Sequence, residues 1–324
     1  MISLTKNHQT EAAIKEMVSK AFPGKEAAGI TELTEGFFNA AYRIKLRDGQ
    51  NVILKIAPPG KADIMTYEKN LMYAEVNSMR LVKERTSVPV PEILFYSPEH
   101  SGNLCESDYF FMTALTGENY NSVKSTLNEE EQYRIDYEIG RYNRRINRIE
   151  GSSFGYFASA SEPSADWKTV FQSMAECVLR DGKVRNIDIG LGYTELNGRI
   201  KDKLYALEPV KTPKLVHWDL WDGNVFVKNG QVEGIIDFER SIWGDPLMEY
   251  AFRRHSRRRG NQGFMDGYGA TEPDRSTKIR SMLYDIYLYL IMIIECDYRK
   301  YPDDSQYLWA KQMLADAAAD LIKE

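Results

Sequence analysis

The most constraining stretch of this 324-residue chain runs from Val216 to Phe238. Val225-Phe226-Val227-Lys228 and Gln231-Val232-Glu233-Gly234-Ile235-Ile236 are short β-rich runs flanking Asn229-Gly230, the strongest short-range hairpin signal a sequence offers. That hairpin folds Asp237 back beside Asn224, the end of the loop His217-Trp218-Asp219-Leu220-Trp221-Asp222-Gly223-Asn224. An Asp, an Asn five positions later and a second Asp on a nearby strand are the groups that γ-phosphoryl transfer asks of a protein. Its tasks there are to orient an attacking hydroxyl and to hold Mg²⁺ against the phosphate oxygens. In this arrangement Asp219 accepts the hydroxyl proton, while Asn224 and Asp237 offer oxygen ligands to the metal.

These motifs, His217-x-Asp219-x4-Asn224 and Asp237-Phe238-Glu239, resemble those of the aminoglycoside phosphotransferase family, small-molecule kinases with the protein-kinase-like fold. The resemblance extends from about Thr31 to about Arg254 and continues less specifically to the C-terminus. It implies a bilobal α+β fold, with a small N-terminal β-sheet lobe (residues 1–115) that binds nucleotide. A larger, mainly helical lobe (116–324) would carry the catalytic and acceptor-binding residues.

The resemblance also implies a strand lysine that touches the phosphates and is held by a glutamate from the next helix. Lys55 interrupts the apolar strand Asn51 to Ala57, and a lysine facing inward demands a partner. Glu75 fits that place: a predicted helix from Met72 to Lys83 carries Met72, Val76, Met79 and Val82 at helical spacing, with Glu75 on the same face. Glu68 is the alternative. Gly36, Phe37, Phe38 and Asn39 form a turn between two β-like runs, serving either as an ordinary hairpin or as a nest for phosphate oxygens. By the same resemblance Met112, Thr113, Ala114 and Leu115 end the small lobe and line the nucleobase slot. Base recognition there runs through main-chain groups, so ATP and GTP stay equally open.

Composition points to a cytoplasmic enzyme. With 43% hydrophobic and 27% charged residues the chain can bury one or two proper cores. Its three widely spaced cysteines, Cys105, Cys177 and Cys296, suggest neither a disulfide framework nor a metal site. Met1 to Lys20 has no signal-peptide core and reads as a short amphipathic helix with Ile14, Met17 and Val18 on one side. Met282 to Cys296 is too short for a membrane span and is expected to be a buried helix. A net charge of −5 gives no general attraction for nucleic acid. The dense basic run Arg253 to Arg259 is expected to sit solvated at the end of a helix from Leu247 to Arg254. No membrane association and no obligate protein partner are indicated.

Gly244-Asp245-Pro246 follows Asp237 within ten positions, which leaves no room for a peptide-docking activation segment, and Trp218 stands where protein kinases carry arginine. The acceptor is therefore expected to be a small molecule bearing a hydroxyl. Asp245, just before a proline at a first helical position, is accounted for as an N-cap. Glu239 is open between the metal, the acceptor and an ion pair with an arginine. Tyr284, Tyr287 and Leu288 or Ile291 are expected to face the core. The acidic residues from Glu295 to Asp304, including Asp297 and Asp303, are expected to be exposed, where they would attract a cationic acceptor such as an aminosugar antibiotic. A metabolic kinase of the fructosamine, choline or sugar type and a nucleotide-binding pseudokinase are the alternatives.

Overall fold

The computed structural model describes residues 5–36, 38–98, 104–159, 166–249 and 262–324. The small lobe is an antiparallel sheet of β1 (Ala27–Leu33), β2 (Ala40–Leu46), β3 (Asn51–Ile56), β4 (Ile93–Ser97) and β5 (Tyr109–Thr113), in spatial order β1-β2-β3-β5-β4. Strand alternation sorts its side chains to two faces. Val52, Leu54 and Ile56 of β3, with Tyr109 and Phe111 of β5, pack with Ile14, Met17 and Val18 of α1 (Glu11–Ala21). Ile53, Phe110 and Met112 point the other way, toward Met72, Val76, Met79 and Val82 of α2 (Leu71–Arg85). Burying those four α2 side chains contributes roughly 6–12 kcal/mol before entropy is counted. Lys55 shares the parity of Ile53, so β3 aims it at α2.

The remaining chain is mainly helical. In order come β6 (Glu118–Asn119), α3 (Tyr120–Val123), α4 (Glu129–Ile146), β7 (Gly155–Tyr156), α5 (Trp167–Val184), α6 (Tyr193–Lys203), β8 (Lys214–Val216), β9 (Val225–Lys228), β10 (Gln231–Ile235) and β11 (Ile242–Gly244). Three helices close the described chain: α7 (Gln262–Tyr268), α8 (Arg275–Arg299) and α9 (Ser305–Lys323). The expected bilobal α+β fold is the observed one. The expected 72–83 helix is α2, longer by a residue at its start and two at its end, and the Met282–Cys296 stretch lies within α8, most of it buried. No helix among the described residues is long and apolar enough to cross a membrane.

The predicted hairpin is present: β9 and β10 pair antiparallel about Asn229 and Gly230, whose φ values of 53° and 73° are the double left-handed pair of a tight primed turn. Beyond β11 the expected helix begins only as a 3-10 turn, Pro246–Glu249; its remainder, and the basic run 253–259, lie outside the described residues. Leaving β5, Ala114 donates to the Asn51 carbonyl at 3.4 Å, and the chain then passes to Thr116 and Gly117, which the carboxylate of Glu233 on β10 grips. The Glu233 oxygens accept from Thr116 N at 3.0 Å, Thr116 Oγ1 at 2.7 Å and Gly117 N at 2.6 Å.

Candidate active site

Lys55 is buried and donates to both oxygens of Glu75, at 2.7 and 2.6 Å, and to Asp237 Oδ1 at 2.8 Å. Glu68 is engaged elsewhere, accepting from Arg299 Nη2 at 2.6 Å and from Met65 N at 2.9 Å, so Glu75 is the partner of Lys55. Burial opposes charge on the Lys55 ammonium, but the carboxylates of Asp237, Glu75 and Glu239 outweigh it and hold the group protonated well above the ordinary lysine range. For Asp237 the order is reversed: burial raises its carboxyl, and Lys55 more than compensates, leaving it below the usual range and ionised.

Oxygens of Glu75, Asp237 and Glu239 lie within 4.8 Å of one another. One ammonium does not balance so many carboxyls. Burial, helped by Asp237, pushes Glu239 up to about 7 against the pull of Lys55, Arg240 and Arg299. Glu75 rises from burial as well. A surplus of buried oxygen donors short of positive charge is the environment a hard divalent cation fits. Glu239 also accepts from Asn39 Nδ2 at 2.7 Å, which ties the turn between β1 and β2 to the site. Its hydrogen-bond partner there is thus an amide, where the sequence left an arginine open. In that turn Gly36 has φ 88° and Phe38 is buried with the Arg299 guanidinium 5.1 Å from its ring centre; Phe37 lies outside the described residues.

The loop 217–224 is ordered by local bonds. Asp219 N donates to His217 Nδ1 at 3.2 Å, so that nitrogen is an acceptor and Nε2–H donates to the Ile236 carbonyl at 2.9 Å. This tautomer is the neutral one, in keeping with burial holding His217 below its ordinary pKa. The contact also ties the loop to the residue before Asp237. Asn224 Nδ2 donates to Asp219 O at 2.8 Å and to Asp219 Oδ2 at 3.3 Å, and Asn224 O accepts from Ile236 N at 3.0 Å. The hairpin therefore brings Asn224 and Asp237 into one neighbourhood, as the sequence predicts. Asp219 is partly exposed in a deep setting; burial raises its carboxyl well above the ordinary value, Arg240 opposes this, and Asp237, Glu239 and Glu295 add to it. Trp218 and Asp237 both lie in the left-handed region, at φ 61° and 69°. For a tryptophan that is backbone strain, the kind that collects at working sites.

Of the expected nucleobase-slot residues, Met112 is buried against α2, while Thr113, Ala114 and Leu115 are half-buried. Tyr284 and Tyr287 are core, as expected. Of the acidic C-terminal group, Asp303 and Asp304 are exposed, as expected, whereas Glu295 is buried and Asp297 half-buried. Glu295 is 4% exposed and accepts from Arg240 Nη2 at 2.7 Å, with Arg299 Nη1 at 3.4 Å. Asp297 pairs with Arg185 and Lys300, each at 2.9 Å, and Asp303 accepts from Ser305 N at 2.9 Å. Asp245 caps its turn by accepting from Leu247 N at 3.1 Å, but Oδ2 also accepts from Arg280 at 2.6 Å and Tyr284 OH at 2.8 Å. Glu249 and Glu233 were not singled out from sequence; each binds main-chain N–H groups far away in the chain, a relation no local pattern reveals.

Fold and site together define a phosphotransferase of the protein-kinase-like class. Residues 29–276 match the phosphotransferase enzyme family, and the chain belongs to it. A 141-residue stretch is 28% identical to subtelomeric hrmA-associated cluster proteins from two strains of Aspergillus fumigatus, covering 43% of this chain; the match spans 26% of the length of those relatives. Among solved structures, a candidate fructosamine-3-kinase from Thermobifida fusca superposes with TM-score 0.70 at 16% identity, over 96% of this chain and 99% of that one. A thermostable mutant of aminoglycoside phosphotransferase APH(4)-Ia gives 0.69 at 16% identity, over 94% and 98%. The gentamicin complex of APH(2″)-IIa gives 0.65 at 17%, over 98% and 97%. At these identities the likeness is one of fold.

Proposed function

We propose that this enzyme transfers the γ-phosphoryl group of ATP or GTP to a hydroxyl of a small molecule. The observation that carries the proposal is the convergence of Lys55, Glu75, Asp237, Asn224 and Asp219 from four separate segments into one polar centre. In this assignment residues 1–115 form the nucleotide-binding lobe and 116–324 the catalytic and acceptor-binding lobe. Lys55, held by Glu75, meets the phosphates; Gly36, Phe37, Phe38 and Asn39 cover them; and the main chain from Met112 to Leu115 meets the base. Asp219 orients the acceptor hydroxyl and takes its proton, a role favoured by a carboxyl that burial has made more basic than usual. Asn224 and Asp237 would hold Mg²⁺, with Glu239 within reach, and the ion would neutralise charge on the phosphate oxygens. Before nucleotide binds, Lys55 and Asn39 satisfy the carboxylates that these partners would otherwise leave bare.

For the acceptor we propose a hydroxylated amine, the chemistry shared by aminoglycoside antibiotics and fructosamines, with an aminoglycoside-like antibiotic as the leading candidate. Neighbouring structures hold ADP with hygromycin B and GDP with kanamycin, which supports this class and leaves the purine open. The acidic cluster invoked from sequence gives reduced support: Glu295 and Asp297 are paired with cations, which leaves Asp303 and Asp304 as its exposed carboxylates. Acceptor-dependent release of ADP or GDP across a hydroxyl-compound panel, with Asp219→Asn as control, tests the proposal. Nucleotide binding without turnover on any acceptor would favour a regulator instead.

A further inference from the structure

The helix α2 ends at Arg85 and α4 at Ile146, and a cavity of about 570 Å³ opens beside the two ends. It lies away from the centre described above, since Arg85 follows Glu75 by ten positions on α2, about 15 Å along the helix axis. Arg85, Thr86 and Ser87 line it from one segment. Arg145, Arg148 and Glu150 line it from the other, with the buried side chain of Ile149 between them.

This lining holds more positive charge than the protein balances. Among the described residues that line it Glu150 is the one carboxylate, and Lys214 already pairs with it. Arg145 donates to Ser87 Oγ at 2.6 Å, which leaves the Ser87 O–H to donate in turn. Arg85 and Arg148 are exposed, and among the described residues no carboxylate pairs with either. Cations do complement helix C-termini, but two helix ends supply about one negative charge in all and so offset about one of the three guanidiniums. Carbonyls at those ends are also satisfied locally: Val82 O accepts from Thr86 N at 3.0 Å and from Thr86 Oγ1 at 2.7 Å, and Asn143 O accepts from Asn147 N at 2.9 Å. In a chain of net charge −5, this cavity is a place where positive charge collects without an internal partner.

We propose that this cavity is a second ligand site, separate from the catalytic centre, for a small molecule bearing a phosphate monoester or pyrophosphate group. Arg85 and Arg148 are its main oxygen contacts, with Arg145 and the Ser87 hydroxyl beside them. Guanidinium forks match phosphate oxygens in bidentate geometry, and a cavity of this size holds a whole small molecule rather than a bare ion. The segment that would grip the ligand is joined to the catalytic lobe: Pro89, two residues beyond Ser87, accepts from Ile235 N at 2.9 Å, two residues before Asp237. Occupancy therefore stiffens a connection that reaches from the end of α2 to β10.

Inorganic pyrophosphate, ribose 5-phosphate and a single-stranded oligonucleotide are titrated into the full chain by calorimetry, at constant ionic strength and with EDTA present so that no metal draws them to the catalytic centre. Wild type, Arg85→Gln/Arg148→Gln and Lys55→Met are compared. Wild type and Lys55→Met are expected to bind both small probes equally, and the double variant at least about 30-fold more weakly, from the loss of two charge-assisted contacts. Amide hydrogen exchange in the wild type is expected to slow at 85–90 and at Ile235 when pyrophosphate binds; slowing confined to 217–224 would place the ligand in the catalytic centre, a reading that serves even if Lys55→Met does not fold. Without ligand the double variant should unfold at the wild-type temperature or above, because it relieves repulsion between like charges. No binding of either small probe, retention of the oligonucleotide alone, equal binding by the double variant, or binding lost in Lys55→Met overturns the site. A double variant that unfolds earlier yet binds pyrophosphate as the wild type does would return the arginines to the helix ends.

Discussion

Replacing Lys55 by methionine takes a cationic hydrogen-bond donor away from Glu75, whose side chain is 1% exposed, while Asp237, at 29%, regains access to water. A buried carboxylate stripped of its partner either stays charged or takes up a proton. Breaking a buried pair costs about 3–5 kcal/mol. Protonation costs the folded state about 1.4 kcal/mol for each pH unit above the ordinary glutamate value of about 4.3, or about 3.7 kcal/mol at pH 7. The two routes agree on a loss of about 3–4 kcal/mol. Lys55 opposes the burial that raises the Glu75 carboxyl, so in the variant that carboxyl rises further, and a raised folded-state value means that stability is retained at low pH and lost as pH rises. The Lys55→Met defect should therefore shrink to about 2 kcal/mol at pH 5.5. Denaturant unfolding of both proteins at the two pH values measures this. A defect as large at pH 5.5 as at pH 7, or none at either, refutes the reasoning. Mg·ATP turnover should fall about 10²- to 10³-fold in the same variant, the loss typical of one preorganised donor to developing charge.

Other consequences follow from the same geometry. Asp219→Ala should lower turnover on the true acceptor about 10²- to 10⁴-fold with little change in nucleotide affinity, and steady-state kinetics beside calorimetry separates the two. Asp237→Ala should abolish the Mg²⁺ dependence of nucleotide binding; unchanged Mg²⁺ linkage in calorimetry would count against its metal role. His217, buried and neutral, has its folded pKa below the ordinary value of about 6.5, so the unfolded chain takes up a proton first as pH falls. Stability should decline below about pH 6.5 by up to about 1.4 kcal/mol per unit, and a His217→Gln variant with the same pH slope would exclude that source.

The sequence reveals those parts of the site that depend on short-range geometry. Asn229-Gly230 dictates the turn, the turn dictates where Asp237 returns, and two-residue alternation along β3 puts Lys55 on the α2 face beside Ile53. Glu75 is legible because helical spacing sets it among Met72, Val76 and Met79. Glu295 was misjudged, although the same spacing that buries Tyr284, Tyr287, Leu288 and Ile291 carries it inward too. A lone carboxylate reads as exposed when its partners, Arg240 and Arg299, are not in view. Glu249 and Glu233 are illegible for a different reason. They bond main-chain groups 29 to 117 positions away, and only the folded chain brings those together.

The proposed chemistry is tested most directly by following the γ-phosphoryl group itself. Wild-type enzyme and Asp219→Asn are incubated with γ-labelled ATP or GTP, Mg²⁺ and a panel of hydroxylated amines, and label is traced into product. Transfer to an acceptor hydroxyl by the wild type, lowered by about 10² or more in the variant, is the predicted result. Tight nucleotide binding with no labelled product from any hydroxyl compound, or transfer indifferent to Asp219, would contradict it.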